Sequence, residues 1–143
     1  MTDASIVHVM IRVLEFERSK QFYAALGMKE IDRYEFADFR VCYLAGEMGP
    51  QIELIENIGR AQPYTQGEGF GNVAFVVSDL TACHRALAAT GAETRPIKDI
   101  VYDGHLFARY FHTFDPDGYR VEVLEKTGRW ASSRPDRSWL SKN

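Results

Sequence analysis

The chain has 143 residues, of which 45% are hydrophobic and 13% aromatic, with a formal net charge of −3. That length suits one compact domain or two very small modules sharing a core, and the apolar content is ample for a packed interior. The small net charge, with Lys and Arg scattered rather than clustered, gives no electrostatic case for a nucleic-acid or acidic-membrane partner.

Residues 6–13 alternate and are rich in Val and Ile, which predicts a strand. From Glu15 to Leu26, Phe16, Phe22, Tyr23 and Leu26 recur at helical spacing, and Gly27 is the expected stop. Residues 28–35, 39–44 and 51–56 read as three short strands, the last turn between them marked by Gly46, Gly49 and Pro50. Residues 57–69 form a link punctuated by Gly59, Pro63, Gly67 and Gly69. Then the order repeats: a strand over 70–77, an N-cap at Ser78 or Asp79, a helix over 81–89, and Gly91 as its stop. Strands are predicted over 92–96, 107–114 and 119–125, with 97–105 a loop containing Asp103-Gly104. The polar tail, 127–143, carries Trp130 and Trp139 as anchors onto the domain or contacts with a partner chain.

Cys42 and Cys83 form no CxxC pair, so reduced thiols are expected. The start, Met1 to Ser5, lacks the basic and apolar regions of a signal peptide, and no stretch approaches the ~20 apolar residues of a spanning helix. A cytoplasmic protein without a membrane partner is expected.

The chain therefore reads as two copies of one βαβββ module, about 6–56 and 70–125, within a single domain spanning 1–143. The predicted class is α+β, with curved mixed sheets around a central cavity. One helix cannot cover both faces of its sheet, and sheet edges left to pair point to a homodimer.

The copies match polar residues at equivalent strand positions: His8 with Asn72, and Glu53 with Glu122. Alternate strand side chains point to opposite faces, so each lies opposite its aliphatic neighbours. Taken singly, a strand Glu is most often a solvated outer-face residue, and a strand His a surface or hydrogen-bonded one. Their coincidence in a duplicated frame makes the four a candidate metal site. His112 depends on the Asp115–Gly118 hairpin: with a plain two-residue turn it opposes Val121, and a one-residue bulge would turn it towards the face of Glu122. His84 and His105 read as surface or loop residues.

These residues resemble the vicinal oxygen chelate superfamily (glyoxalase, bleomycin resistance and dioxygenase proteins), and within it most closely the glyoxalase I enzymes. The resemblance runs over roughly 6–126. It is carried by residues 8–13, by Ser19-Lys20-Gln21-Phe22-Tyr23 with Leu26-Gly27-Met28, by Ile52-Glu53-Leu54, and by Asp115-Pro116-Asp117-Gly118-Tyr119 followed by Glu122. It implies a divalent ion (Ni, Co, Zn, or Mn and Mg) held by His8, Glu53, Asn72 and Glu122, with glutathione as cosubstrate. It further implies proton transfer through a metal-stabilised enediolate, on the hemithioacetal of methylglyoxal and glutathione. Glu122 is the expected catalytic base and Glu53 a ligand and second candidate base. Arg12 and Asn57 match positions that hold the glutamyl end of glutathione. Without such a ligand, Arg12 would make a rim salt bridge and Asn57 would be a turn residue.

Two departures stand out. Asn72 occupies the place of a second His, and a neutral amide oxygen is a weaker donor for Zn, Ni or Co than imidazole. Glu68 stands where some relatives carry a basic residue, which weakens the glutathione assignment. Two other readings stay open: an epimerase or isomerase of the same superfamily, and a metal-free small-molecule binding protein of the bleomycin-resistance kind.

Overall fold

The computed structural model describes residues 2–132. The chain divides between Gly67 and Glu68 into two compact units.

Unit 1 contains β1 (His8–Arg12), α1 (Phe16–Ala24), β2 (Lys29–Glu35), β3 (Phe39–Ala45) and β4 (Gln51–Asn57). Its sheet has the order β1-β4-β3-β2, with β1 parallel to β4 and the other neighbours antiparallel. Period-2 alternation puts Ile11, Cys42, Leu44, Ile52 and Leu54 on one face. All five are buried, as are Phe16, Phe22 and Tyr23 of α1. Glu15 makes no side-chain cap for α1. The carboxylate of Glu56 on β4 serves instead: it accepts the Phe16 amide at 2.9 Å and is also paired with Arg40. A negative group at this helix end is favourable, and the bond ties the helix to its sheet.

A polar cluster joins the same two layers. Glu30 accepts from Arg33 Nε at 2.6 Å and from Cys42 Sγ at 3.3 Å, and it pairs with Lys20 at 3.2 Å. The Arg33 bond is the main cause of a Glu30 carboxyl lowered to about 2. Burial is the main cause of a Cys42 thiol pushed up to about 12. Both cysteines are buried and neither is in a disulfide.

Unit 2 contains β5 (Val73–Val77), α2 (Leu80–Ala89), β6 (Lys98–Tyr102), β7 (His105–Phe114), β8 (Arg120–Glu125) and a 3-10 turn (Gly128–Trp130). Its sheet order, β5-β8-β7-β6, repeats that of unit 1, with β5 parallel to β8. Asp79 caps α2 by accepting the Ala82 amide at 3.0 Å. Leu80, Cys83 and Leu87 of α2 are buried, as are Phe111, Val121 and Val123 on one sheet face. The His84 ring meets Phe111 edge-on at 4.7 Å, which fixes that face as the one under the helix. Among the described residues no helix is long and apolar enough to cross a membrane.

One predicted strand is displaced. Within 92–96 only Thr94 pairs, as an isolated bridge to Thr113, and the strand β6 lies inside the segment expected to be a loop. Pro96 has no amide to donate to a ladder. Beyond it, the β-branched and aromatic Ile100, Val101 and Tyr102 lead into Asp103-Gly104. Those two residues adopt φ of 51° and 76°, as a two-residue hairpin turn demands. His105 therefore opens β7 rather than lying in a loop.

After β8 the 3-10 turn packs against β7. A Cβ added at Gly128 would stand 2.3 Å from the Phe107 carbonyl oxygen, so the backbones meet where no side chain fits. Trp130 lies in this turn, under the Arg129 guanidinium at 5.0 Å. Trp139 and residues 133–143 lie outside the described residues.

Candidate functional site

The register makes the duplication explicit. Glu53 is partnered with Met10, two residues beyond His8, and Glu122 with Ala74, two residues beyond Asn72. Across the other neighbour, Glu53 faces Tyr43 and Glu122 faces His112. The repeat therefore extends to the third strand of each unit, where Tyr43 and His112 are equivalent.

In unit 1, His8, Met10, Arg12, Glu53, Asn57 and Tyr43 share the sheet face opposite α1. His8 Nε2 lies 3.5 Å from Glu53 Oε2, with side-chain exposures of 36% and 15%, so the pair is reachable yet partly shielded. The Tyr43 hydroxyl donates to the same carboxylate oxygen. This bond is the main reason the phenol is raised above its ordinary value. The Tyr43 ring also meets His8 edge-on at 5.9 Å.

Arg12 and Asn57 lie at the common C-terminal end of the parallel pair β1 and β4, on the face of His8 and Glu53. The Asn57 amide donates to Tyr64 Oη at 2.8 Å, and the Arg60 guanidinium sits 4.2 Å above the Tyr64 ring. Hydrogen-bonding and cationic groups thus gather at that end of the two strands.

In unit 2, His112 and Glu122 share the face opposite α2. His112 Nε2 is 3.3 Å from Glu122 Oε2, with exposures of 22% and 26%. The plain two-residue turn is therefore excluded. Asp115 N bonds to Tyr119 O, and Phe114 pairs with Arg120, so five residues make the turn and His112 comes opposite Glu122. Asp115, buried at 4% exposure, holds the loop by accepting the Asp117 and Tyr119 amides at 2.9 Å each. Asn72 is exposed and lies one residue ahead of the first paired position of β5. Glu68, also exposed, is the first residue of unit 2.

Two donors each about 2.1 Å from one ion, and about 90–109° apart at it, stand about 3.0–3.4 Å from each other. The His8–Glu53 and His112–Glu122 separations lie at or close to that range, and imidazole with carboxylate suits a divalent ion. Each unit thus offers a donor pair. Among the described residues no group of three or more His, Cys, Asp or Glu is gathered as a metal cluster.

Sequence reasoning did not single out Tyr43, Tyr64 or Arg60. For Tyr43 the signal was present, since extending the repeat by one strand sets it beside His112. For Tyr64 and Arg60, in an irregular link, no periodicity existed to read.

A chain of two βαβββ units, each with a carboxylate–imidazole pair on its helix-free face, defines a duplicated α+β architecture. Comparison with known proteins gives the same answer. Residues 5–123 match the profile of the Glyoxalase/Bleomycin resistance protein/Dioxygenase superfamily, and the chain belongs to that family. It is 32% identical over 126 residues to a lactoylglutathione lyase of Haemophilus influenzae, covering 84% of this chain and 91% of that one. The trypanothione-dependent glyoxalase I of Leishmania major is similar in structure, with a TM-score of 0.69 and 27% identity over 87% of this chain and 88% of that one. A glyoxalase I mutant of Zea mays gives 0.73 and 28%, covering 83% of this chain and 45% of that one. Among these relatives the chain takes its place as a lyase-type, glyoxalase I-like enzyme.

Proposed function

We propose that the protein converts the hemithioacetal of methylglyoxal and glutathione into lactoylglutathione, using a divalent cation. The observation that carries this reading is the duplicated pair: Glu53 with His8 at 3.5 Å, and Glu122 with His112 at 3.3 Å, each on the sheet face away from its helix.

His8, Glu53 and Glu122 would hold the ion, with Asn72 offering a neutral amide oxygen. Nitrogen and carboxylate donors suit Ni, Co or Zn, and an amide in the set moves preference towards Mn or Mg. When bound, the ion would supply Lewis acidity to the substrate. Glu122 takes the proton from one substrate carbon and, once protonated, delivers it to the neighbouring carbon, ending as the carboxylate it began as. Glu53, one of whose oxygens accepts the Tyr43 hydroxyl, is the second candidate base. Arg12 can grip the glutamyl carboxylate with two charge-assisted bonds, while Asn57 contributes donor and acceptor. Glu68 adds a negative charge that does not help glutathione bind.

The protein acts as a cytoplasmic homodimer in this reading. Its buried cysteines, outside any disulfide, suit a reducing compartment, and the outer strand β1 exposes Val9 and Met10.

The test is lactoylglutathione formation by protein stripped of metal and reloaded in turn with Ni2+, Co2+, Zn2+, Mn2+ and Mg2+. Turnover with at least one ion is expected. None with any ion overturns the reading. Asn72 favours a second reading, a binding protein without catalysis, which saturable ligand binding without turnover would establish.

A further inference from the structure

We infer that His112, not Asn72, is the side chain of unit 2 that joins Glu122 in binding a divalent cation; the inference rests on the metal-dependent reading above. The register puts His112 directly across from Glu122 on neighbouring strands, the shortest cross-strand approach a sheet offers. Its Nε2 stands 3.3 Å from Glu122 Oε2, the separation of two donors sharing one ion.

The ring is held in place. Its strand is pinned at that residue by the Arg95 amide, which donates to the His112 carbonyl at 2.8 Å. Tyr110 meets the ring edge-on at 5.2 Å. Asn72 has neither support: it precedes the paired part of β5, is exposed, and carries a neutral oxygen.

The equivalent position in unit 1 shows why the units differ. Tyr43 stands there, and its hydroxyl donates to Glu53 rather than offering a lone-pair nitrogen, so unit 1 takes its imidazole from β1. Unit 2 has no His on β5 and takes its imidazole from β7. A carboxylate–imidazole donor pair of this kind favours Ni2+, Co2+ and Zn2+ over Mg2+.

The test compares Ni2+ and Zn2+ affinity by calorimetry in metal-stripped wild type, His112→Phe, His112→Gln and Asn72→Ala, with circular dichroism and melting checked for each. Both His112 variants are expected to bind at least a hundredfold more weakly, and Asn72→Ala within about threefold of wild type. His112→Gln keeps a hydrogen-bond donor for Glu122 without an imidazole, so wild-type affinity in that variant assigns His112 a positioning role and overturns the proposal. Loss confined to Asn72→Ala overturns it equally. Wild-type protein with isotope-labelled histidine gives an answer that does not depend on a variant folding: Zn2+ must shift the His112 Nε2 resonance, and an unmoved resonance refutes ligation. Failure of the lyase reading is separable. Absent lactoylglutathione formation with a shifted His112 resonance sinks the reaction and keeps the ligand. Turnover in a His112→Phe protein of unchanged affinity does the reverse.

Discussion

Glu122 carries the sharpest expectation at the scale of single residues. Replacing it with Gln keeps size and hydrogen bonding but removes the basic oxygen, so kcat should fall by about 10²–10⁴. Stopped-flow or steady-state formation of lactoylglutathione measures this, and a kcat within threefold of wild type would refute the assignment. Arg12→Ala acts on binding instead. Loss of charge-assisted bonds worth about 1.5–3 kcal/mol should raise KM roughly ten- to a hundredfold with kcat little altered. An unchanged KM for the hemithioacetal would return Arg12 to a rim salt bridge. His8, Glu53 and Glu122 were legible in the sequence because a polar residue between aliphatic ones in a strand must face away from them. His112 was not, because its facing turns on whether the Asp115–Tyr119 loop has an odd or even number of residues, a geometry fixed by bonds to the buried Asp115 carboxylate. Tyr43 was passed over for another reason: a strand tyrosine is ordinarily read as apolar packing, although the repeat sets it at the place of His112 and its hydroxyl contact with Glu53 marks it.

At the scale of elements, the helices and their caps decide stability. Asp79→Ala removes a side-chain bond to the first turn of α2, seen at 3.0 Å, and should cost about 1 kcal/mol in a urea melt. No change would mean the turn is held by packing alone. The α1 cluster gives a pH signature. The folded carboxyl of Glu30 is lowered to about 2 from 4.5, chiefly by Arg33. Between those values the unfolded chain binds the proton that the folded chain refuses, so acid favours unfolding. The stabilisation is complete above about pH 4.5 and drains away as pH falls towards 2. Glu30→Gln should flatten that part of the melting temperature against pH, and parallel curves for the two proteins would refute it. The elements themselves were mostly legible, since both helices and seven of the eight strands lie where alternation or helical spacing put them. The exception, β6, is instructive. Ile100, Val101 and Tyr102 carry strand-forming side chains, but they stand together after the adjacent Lys98 and Asp99, so the six residues between Pro96 and Asp103-Gly104 do not alternate. The hairpin turn itself was the better signal.

At the scale of the whole chain, duplication is what gives each unit its own carboxylate–imidazole pair, and it was readable because two glutamates and the aliphatic residues around them recur in the same order. What the sequence could not convey is that the copies diverged in which strand carries the imidazole, since that depends on cross-strand register rather than on order along the chain. The divergence has a thermodynamic consequence. An ion bound by the folded chain and not by the unfolded one adds RT ln(1 + [L]/Kd), about 2.7 kcal/mol at a hundredfold excess over Kd. For a chain of this length that raises the melting temperature by roughly 10 °C. Zn2+ or Ni2+ at that excess should therefore stabilise metal-stripped wild type by about that amount, and a chelator should reverse it. Glu122→Gln removes one charged donor and should lose most of the shift, whereas Asp79→Ala melts lower yet keeps the full increment, because its lesion lies on the far side of the sheet from the donors. A wild-type melting curve indifferent to every ion would leave the carboxylate–imidazole pairs as ordinary ion pairs of the sheet surface.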